Sequence, residues 1–342
     1  MKAVVLQGYG GREQLTVEDV PLPAFGPDQV LLKVGGCGVC YHDVIARNGH
    51  FPRTKTPGVI GHEVAGEVAE VGAAVKGFKP GDRVVVPMSA ACGQCRLCRK
   101  GRPNLCQSAG GLFGEEIPGG YAEYMPAPAS CLVRVPDSVS DAEASIVPCA
   151  MGTAYHALLK VGGLRPAETV LITGATGGVG IHAVQIAHMA GARVLAVTSS
   201  AAKADFLRSH GADEVLVSPD LDFHEEARDL TGGHGVDVIV NIVGQIAWNA
   251  ALKSLDFGGR HVFVGNLNAQ PVQLRPAHAI LKEMSFLGTD AVTIGEIEEL
   301  LRLIDAGKLK PVVERTLPLA QAAEAHRLLE DRQALGRLVL AP

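Results

Sequence analysis

The stretch Thr169-Val170-Leu171-Ile172-Thr173-Gly174-Ala175-Thr176-Gly177-Gly178-Val179-Gly180 decides the fold. It opens with a short apolar run of strand type and turns through glycines. It then enters residues 181–190, whose composition suits a helix. Strand, glycine turn and helix in that order are what a dinucleotide-binding unit needs around a pyrophosphate. Gly177 lets the backbone approach the phosphates, and Gly180 lets the helix pack close to the strand. The N–H groups of the helix's first turn, at Gly178 and Val179, then face the anion. The first position of G-x-G-x-x-G is Ala175, so the pattern is A-x-G-x-x-G with Gly178 as an extra glycine. A glycine motif alone says little. Here a second strand, Arg193–Thr198, follows at the distance such a unit requires.

Working outward, residues 151–288 alternate. Strands are expected at 169–173, 193–198, 214–217, 236–240, 260–264 and 284–288. Helices are expected near 179–190, 201–210, 222–230 and 246–255. That alternation implies a doubly wound parallel sheet with helices on both faces. Residues 1–148 are β-rich instead: 2–6, 30–34 and 83–86 are apolar or β-branched runs, separated by turns such as Phe25-Gly26-Pro27-Asp28 and Lys79-Pro80-Gly81-Asp82. The tail holds helices near 295–306 and 319–329 and a last strand at 336–340. The fold class is α/β, with the pattern changing near residue 150 and again after 290.

At 342 residues the chain is long enough for two domains. A net charge of −5 leaves no basic excess for nucleic acid. The start, Met1-Lys2-Ala3-Val4-Val5-Leu6, goes directly into a strand pattern, so no leader is expected. The longest uncharged stretch, 169–192, is broken by glycines, threonines and histidines and reads as strand, turn and helix rather than as a membrane span. Eight cysteines without a leader point to metal or catalytic roles rather than disulfides, and to a cytoplasmic protein.

Two cysteine groups stand out. Cys92, Cys95, Cys98 and Cys106 form a C-x2-C-x2-C-x7-C loop. Four thiolates in one loop can close a tetrahedron around zinc with no position left for water, which makes such a site structural. An iron–sulfur cluster is the rival occupant on spacing alone. The second group is dispersed: Cys40 just after a strand, His62 in Gly61-His62-Glu63, and Cys149 in Val147-Pro148-Cys149. Two cysteines and a histidine suit a zinc with one open position. Spacing does not join residues so far apart, and singly each reads as a buried or turn residue.

Taken together, the motifs carry a resemblance. G-V-C-x-x-D at 38–43, G-H-E at 61–63, P-G-D-R-V at 80–84, the four-cysteine loop, G-G-Y-A-E-Y at 119–124, C-A-M-G-T-A-Y at 149–155 and the glycine turn occur in one order over essentially the whole chain. In this it resembles the zinc-containing alcohol dehydrogenases of the medium-chain dehydrogenase/reductase family. The resemblance implies a GroES-like β-rich catalytic domain from 1–149 and 290–342, a Rossmann cofactor domain from 150–289, and zinc in both cysteine groups. By matching position, Cys40, His62 and Cys149 are expected as catalytic zinc ligands and Glu63 as a neighbour able to exchange onto the metal. Asp43 is expected to orient His62. Thr153, Val264, Gly265 and Asn266 are expected to line the nicotinamide pocket, Gly174 to bind the cofactor as part of the glycine turn, and Arg337 to reach the cofactor phosphates from the tail. Family members form homodimers or homotetramers and act on small molecules.

Two details depart from the family pattern or refine it. An NAD-selective fold ends its second strand on a carboxylate that binds the ribose hydroxyl. Here the position is Thr198, followed by Ser199, Ser200 and Lys203, which favours NADP, with NAD possible. In alcohol dehydrogenases a Ser or Thr two residues after the first zinc cysteine starts the proton path; here it is His42, and the usual second relay histidine is Ile45. An imidazole with an ordinary pKa of about 6.5 is a competent acid or base at neutral pH. Three functions therefore stay open. The first is an NADP-preferring alcohol dehydrogenase or carbonyl reductase using His42. The second is an enoyl reductase like the zinc-bearing acryloyl-CoA reductases, which share C-Y-x-D at 40–43 and V-P-C at 147–149. The third is a non-catalytic, zinc-stabilised binding protein.

Overall fold

The computed structural model describes residues 1–108, 110–268 and 270–342. The chain forms two compact units, Met1–Gly152 with Ala291–Pro342, and Thr153–Asp290.

The second unit carries a six-stranded sheet, every neighbouring pair parallel, in the order Glu214–Val217, Arg193–Thr198, Thr169–Ile172, Val236–Asn241, Leu255–Phe263, Ser285–Gly288. The order reverses direction beside Thr169–Ile172, so the glycine turn stands at the switch point where such sheets bind nucleotides. Val170, Leu171 and Ile172 are fully buried, as a strand covered on both faces requires. The turn leads into the helix Gly178–Met189. A Cβ at Gly180 would lie 2.2 Å from the Gly174 carbonyl oxygen, so only glycine lets this helix sit so close to the strand.

The first unit is built on a seven-stranded sheet. Its long central strand, Gln29–Val39, is antiparallel to Glu63–Val71, to Tyr124–Pro128 and, at its end, to the tail strand Arg337–Ala341. Val30, Leu32, Val64, Val68, Val84, Met125 and Leu340 meet in one core. Burying each such side chain contributes roughly 1.5–3 kcal/mol. Short helices are fixed by sequence-local caps. Ser140 Oγ accepts from Glu143 N–H at 3.3 Å while Glu143 Oε2 accepts from Ser140 N–H at 3.0 Å. Thr293 and Glu296 repeat the arrangement at the start of Ile294–Asp305. Among the described residues no helix is long and apolar enough to cross a membrane.

Candidate active site

Cys40 ends the long strand Gln29–Val39, and the chain turns there into the helix Tyr41–Arg47. Asp43 sits in the first turn of that helix and accepts from Cys40 N–H at 2.9 Å, as an acidic residue at this position should. His62 precedes the strand Glu63–Val71, and Gly38 pairs directly with Glu63. Hydrogen bonding between these strands thus delivers His62 and Glu63 beside Cys40. Gly61 is essential to the approach: its φ is +98°, and a Cβ there would lie 2.4 Å from the Tyr121 ring.

One ligand atom from each of Cys40, His62, Glu63 and Cys149 lies within 4.8 Å of the others. All four residues are buried. His62 Nδ1 donates to Asp43 Oδ1 at 2.9 Å, which leaves Nε2 as a buried nitrogen with no hydrogen-bond partner among the described residues. Glu63 Oε2 likewise lacks a hydrogen-bond partner among the described residues, and Oε1 is met by Arg337. Converging sulfurs and orphaned buried polar atoms are the donor set of a metal site, and two cysteines with one histidine fit zinc. The Cys149 thiol pointing at Cys40 draws the Cys40 pKa down, and the same contact pushes Cys149 up. Burial raises the Glu63 carboxyl to about 7, against the pull of Arg337.

Arg337, the tail arginine expected to reach the cofactor phosphates, lies beside these residues. It is 4% exposed, with Nη2 2.7 Å from Glu63 Oε1 and 3.9 Å from Cys149 Sγ. Its strand pairs with the end of Gln29–Val39, which brings the side chain to the buried site.

His42 also stands at this site. Its ring stacks on Phe51 with centroids 4.4 Å apart and meets the His62 ring edge-on at 4.9 Å. Its Nε2 is 2.5 Å from Glu115 Oε1, and the Glu115 side chain is 2% exposed while that of His42 is 29% exposed. Arg53 pairs with the other carboxylate oxygen at 3.6 Å. A buried carboxylate on a half-exposed imidazole is an acid–base pair with access to solvent. Glu115 was not legible in the sequence as its partner: 73 residues separate the two, and a glutamate after Gly114 carries no local signal.

The four-cysteine loop is a separate centre. Sγ–Sγ distances are 3.4 Å for Cys92–Cys106, 3.6 Å for Cys95–Cys98 and 3.9 Å for Cys95–Cys106. Zn–S bonds of about 2.3 Å in a tetrahedron give sulfur–sulfur edges of about 3.8 Å, so the loop fits zinc. Backbone N–H groups of Cys98 and Gln107 pull the Cys95 thiol down to about 6.

In the second unit, the turn residues Gly174, Gly177, Gly178, Val179 and Gly180 lie at the helix start as expected. At Gly177 a Cβ would come no nearer than 3.6 Å to another residue, the open face that a pyrophosphate needs. Thr198 ends its strand, and its hydroxyl accepts from Ser200 N–H at 3.3 Å. Ser199 and Lys203 follow it, with Lys203 closing a short helical turn. Val264, Gly265 and Asn266 follow the strand Leu255–Phe263, and Thr153 lies in the helix Gly152–Tyr155.

Residues 26–137 match the family model described as alcohol dehydrogenase GroES-like domain, and residues 178–306 match the one described as zinc-binding dehydrogenase. The chain therefore belongs to the zinc-type alcohol dehydrogenases of the medium-chain dehydrogenase/reductase family, and it is an NAD(P)-dependent oxidoreductase. Among its relatives, an acryloyl-coenzyme A reductase of Metallosphaera sedula is 41% identical over 99% of both chains. An alcohol dehydrogenase of Geobacillus stearothermophilus is 36% identical over 99% of this chain and 98% of its own. Among solved structures, the crystal structure of AibC is 51% identical, with a TM-score of 0.94 over 100% of this chain and 96% of that one.

Proposed function

We propose that the protein reduces the C=C bond of a short α,β-unsaturated acyl thioester, of the acryloyl-CoA class, with NADPH. The observation that carries this reading is the His42–Glu115 pair beside Cys40, His62, Glu63 and Cys149, in a chain 41% identical to an acryloyl-coenzyme A reductase. The reaction adds a hydride to the β-carbon and a proton to the α-carbon, and NADPH becomes NADP. When bound, zinc polarises the conjugated carbonyl and the nicotinamide supplies the hydride. Cys40, His62 and Cys149 would hold the metal, with Asp43 keeping the His62 proton on Nδ1. Glu115 holds the His42 ring so that an imidazolium can form and give up its proton, and the exposed part of that ring takes a replacement from water. Arg337 holds the Glu63 carboxylate in an ion pair beside Cys149.

A second reading, reduction of a saturated aldehyde or ketone, is favoured by the same His42, which then protonates the product oxygen. Following NADPH consumption on zinc-replete protein, with acryloyl-CoA and crotonyl-CoA in parallel with saturated aldehydes, separates the two. Saturated thioester as product, with aldehydes inert, supports the first reading. An alcohol from a saturated aldehyde moves the protein to the second.

The NADP preference is supported by Thr198, Ser199, Ser200 and Lys203, a run with hydroxyls and a cation and no carboxylate to repel a 2′-phosphate. Ser199→Asp should reverse it by about tenfold or more in the ratio of kcat/KM values for NADPH and NADH, the cost of setting a carboxylate against that phosphate. Loop zinc at Cys92, Cys95, Cys98 and Cys106 is structural in this account. Association of copies is supported by exposed Phe257, Ile280 and Leu281 in the second unit, which light scattering on the purified protein would resolve into dimer or tetramer.

A further inference from the structure

Asp43 receives more than the His62 proton. Its Oδ2 accepts from Cys40 N–H at 2.9 Å and from the Tyr121 hydroxyl at 3.2 Å. The same hydroxyl lies 3.2 Å from His326 Nε2, on the tail helix Ala322–Glu330. His326 Nδ1 is 3.1 Å from Arg47 Nη1. Arg47 is held in turn by Glu330 at 2.5 Å, the Gly10 carbonyl at 3.1 Å and Asn48 Oδ1 at 3.1 Å. Tyr121 and His326 are 0% exposed, Arg47 1% and Asp43 2%.

The chemistry of these groups fixes the direction of every bond. A guanidinium has donors only, so His326 Nδ1 must accept. The imidazole proton is then on Nε2, which donates to the Tyr121 oxygen. The single phenolic proton is left for Asp43. Asp43 is thereby an acceptor on both oxygens, the His62 proton stays on Nδ1, and Nε2 presents its lone pair towards Cys40 and Cys149.

We propose that Arg47, His326 and Tyr121 form a one-way hydrogen-bond chain that positions Asp43, so that the tail helix sets how firmly His62 holds the buried metal. The proposal rests on Cys40, His62 and Cys149 being a zinc site. It makes Tyr121 and His326 positioning residues, acting on His62 only through Asp43. Hydrogen-bond partners behind a ligating histidine typically change metal affinity 10–100-fold.

The test measures zinc release from metal-replete protein to a chromogenic chelator. The release phase absent from a Cys149→Ser variant belongs to the buried site, and the other phase, from the four-cysteine loop, is an internal control for folding. Tyr121→Phe removes one hydroxyl, and His326→Leu removes the link to Arg47. Both should speed the buried-site phase by about tenfold, with the loop phase and the melting temperature little changed. His326→Gln, whose amide still donates to Tyr121, should restore part of the slow release. Unchanged release in Tyr121→Phe overturns the chain, and so does a speeding of both phases together with a lower melting temperature. Should His326→Leu not fold, Tyr121→Phe decides alone. Wild-type protein carrying only the loop zinc would overturn the buried zinc site itself, and the chain with it.

Discussion

The two sulfur centres reach the same chemistry by opposite routes. In the loop, four cysteines lie between residues 92 and 106, partly exposed, with their own backbone N–H groups lowering Cys95. At the buried site, Cys40 and Cys149 come from distant segments, and side chains rather than backbone tune them: Cys149 on Cys40, Arg337 on Glu63, Asp43 on His62. A centre made by local backbone can hold its lobe together without taking part in a reaction. A centre assembled by strand pairing is a property of the whole unit, and its environment can be set for chemistry.

The sharpest way to break this comparison is to remove one sulfur from each. On the proposed function, Cys149→Ala should lower turnover by about 10³-fold or more, some 4 kcal/mol of barrier, because a carbonyl-polarising metal held there would lose a ligand. Its melting temperature should stay within a few degrees of wild type. Cys95→Ser should do the reverse. Metal binding and local folding are coupled, so its melting temperature should fall by several degrees while turnover per folded molecule stays within a few-fold. Calorimetry beside steady-state kinetics on both variants checks the pair. Lost turnover with an unchanged melt in Cys95→Ser would end the division into structural and reactive centres.

A smaller effect sharpens what the buried site's surroundings do. Removing a positioned acid–base group costs about 10²–10⁴-fold, so His42→Ala should reduce turnover at least a hundredfold. Glu115→Gln keeps the shape and a hydrogen bond but removes the charge, so its loss should be nearer tenfold. Rates for His42→Ala equal to wild type would remove His42 from the chemistry.

What the sequence made legible follows the same division. The glycine turn and the four-cysteine loop are local patterns, and their partners lie within one turn or one loop. The strand–helix alternation of the second unit is local too, and strands such as Arg193–Thr198 fall where the apolar runs placed them. Cys40, His62 and Cys149 could be joined only through the family resemblance, because antiparallel pairing of Gln29–Val39 with Glu63–Val71 sets His62 beside Cys40, and Cys149 arrives from the separate helical segment Val147–Met151. The tail's contributions were out of reach. His326 meets Tyr121 across 205 residues, and Arg337 meets Cys149 across 188. Neither pair has a periodicity or spacing to betray it, and the Arg337–Glu63 ion pair exists only because the tail strand has its place in the sheet.

The comparison extends last to histidine. His62 Nε2 and His261 Nδ1 are both buried nitrogens without a hydrogen-bond partner among the described residues, yet only the first faces sulfur and carboxylate ligands. His261 is packed instead among Trp248, Phe263 and Phe286, with Nε2 3.3 Å from Asn241 Nδ2. Burial alone lowers its pKa to about 4. The folded form therefore resists a proton that the unfolded chain accepts near pH 6.5, so this residue adds stability above pH 6.5 that is lost as pH falls towards 4. At pH 5 the loss should be about 2 kcal/mol relative to pH 7. In His261→Met that part of the acid dependence should disappear, read as a flatter denaturant midpoint between pH 7 and 5. A dependence as steep as that of wild type would place the acid sensitivity elsewhere. A flattened one would show that an orphaned buried nitrogen among aromatic rings is a stability element, and that it becomes a candidate ligand only where other donors converge on it, as they do at His62.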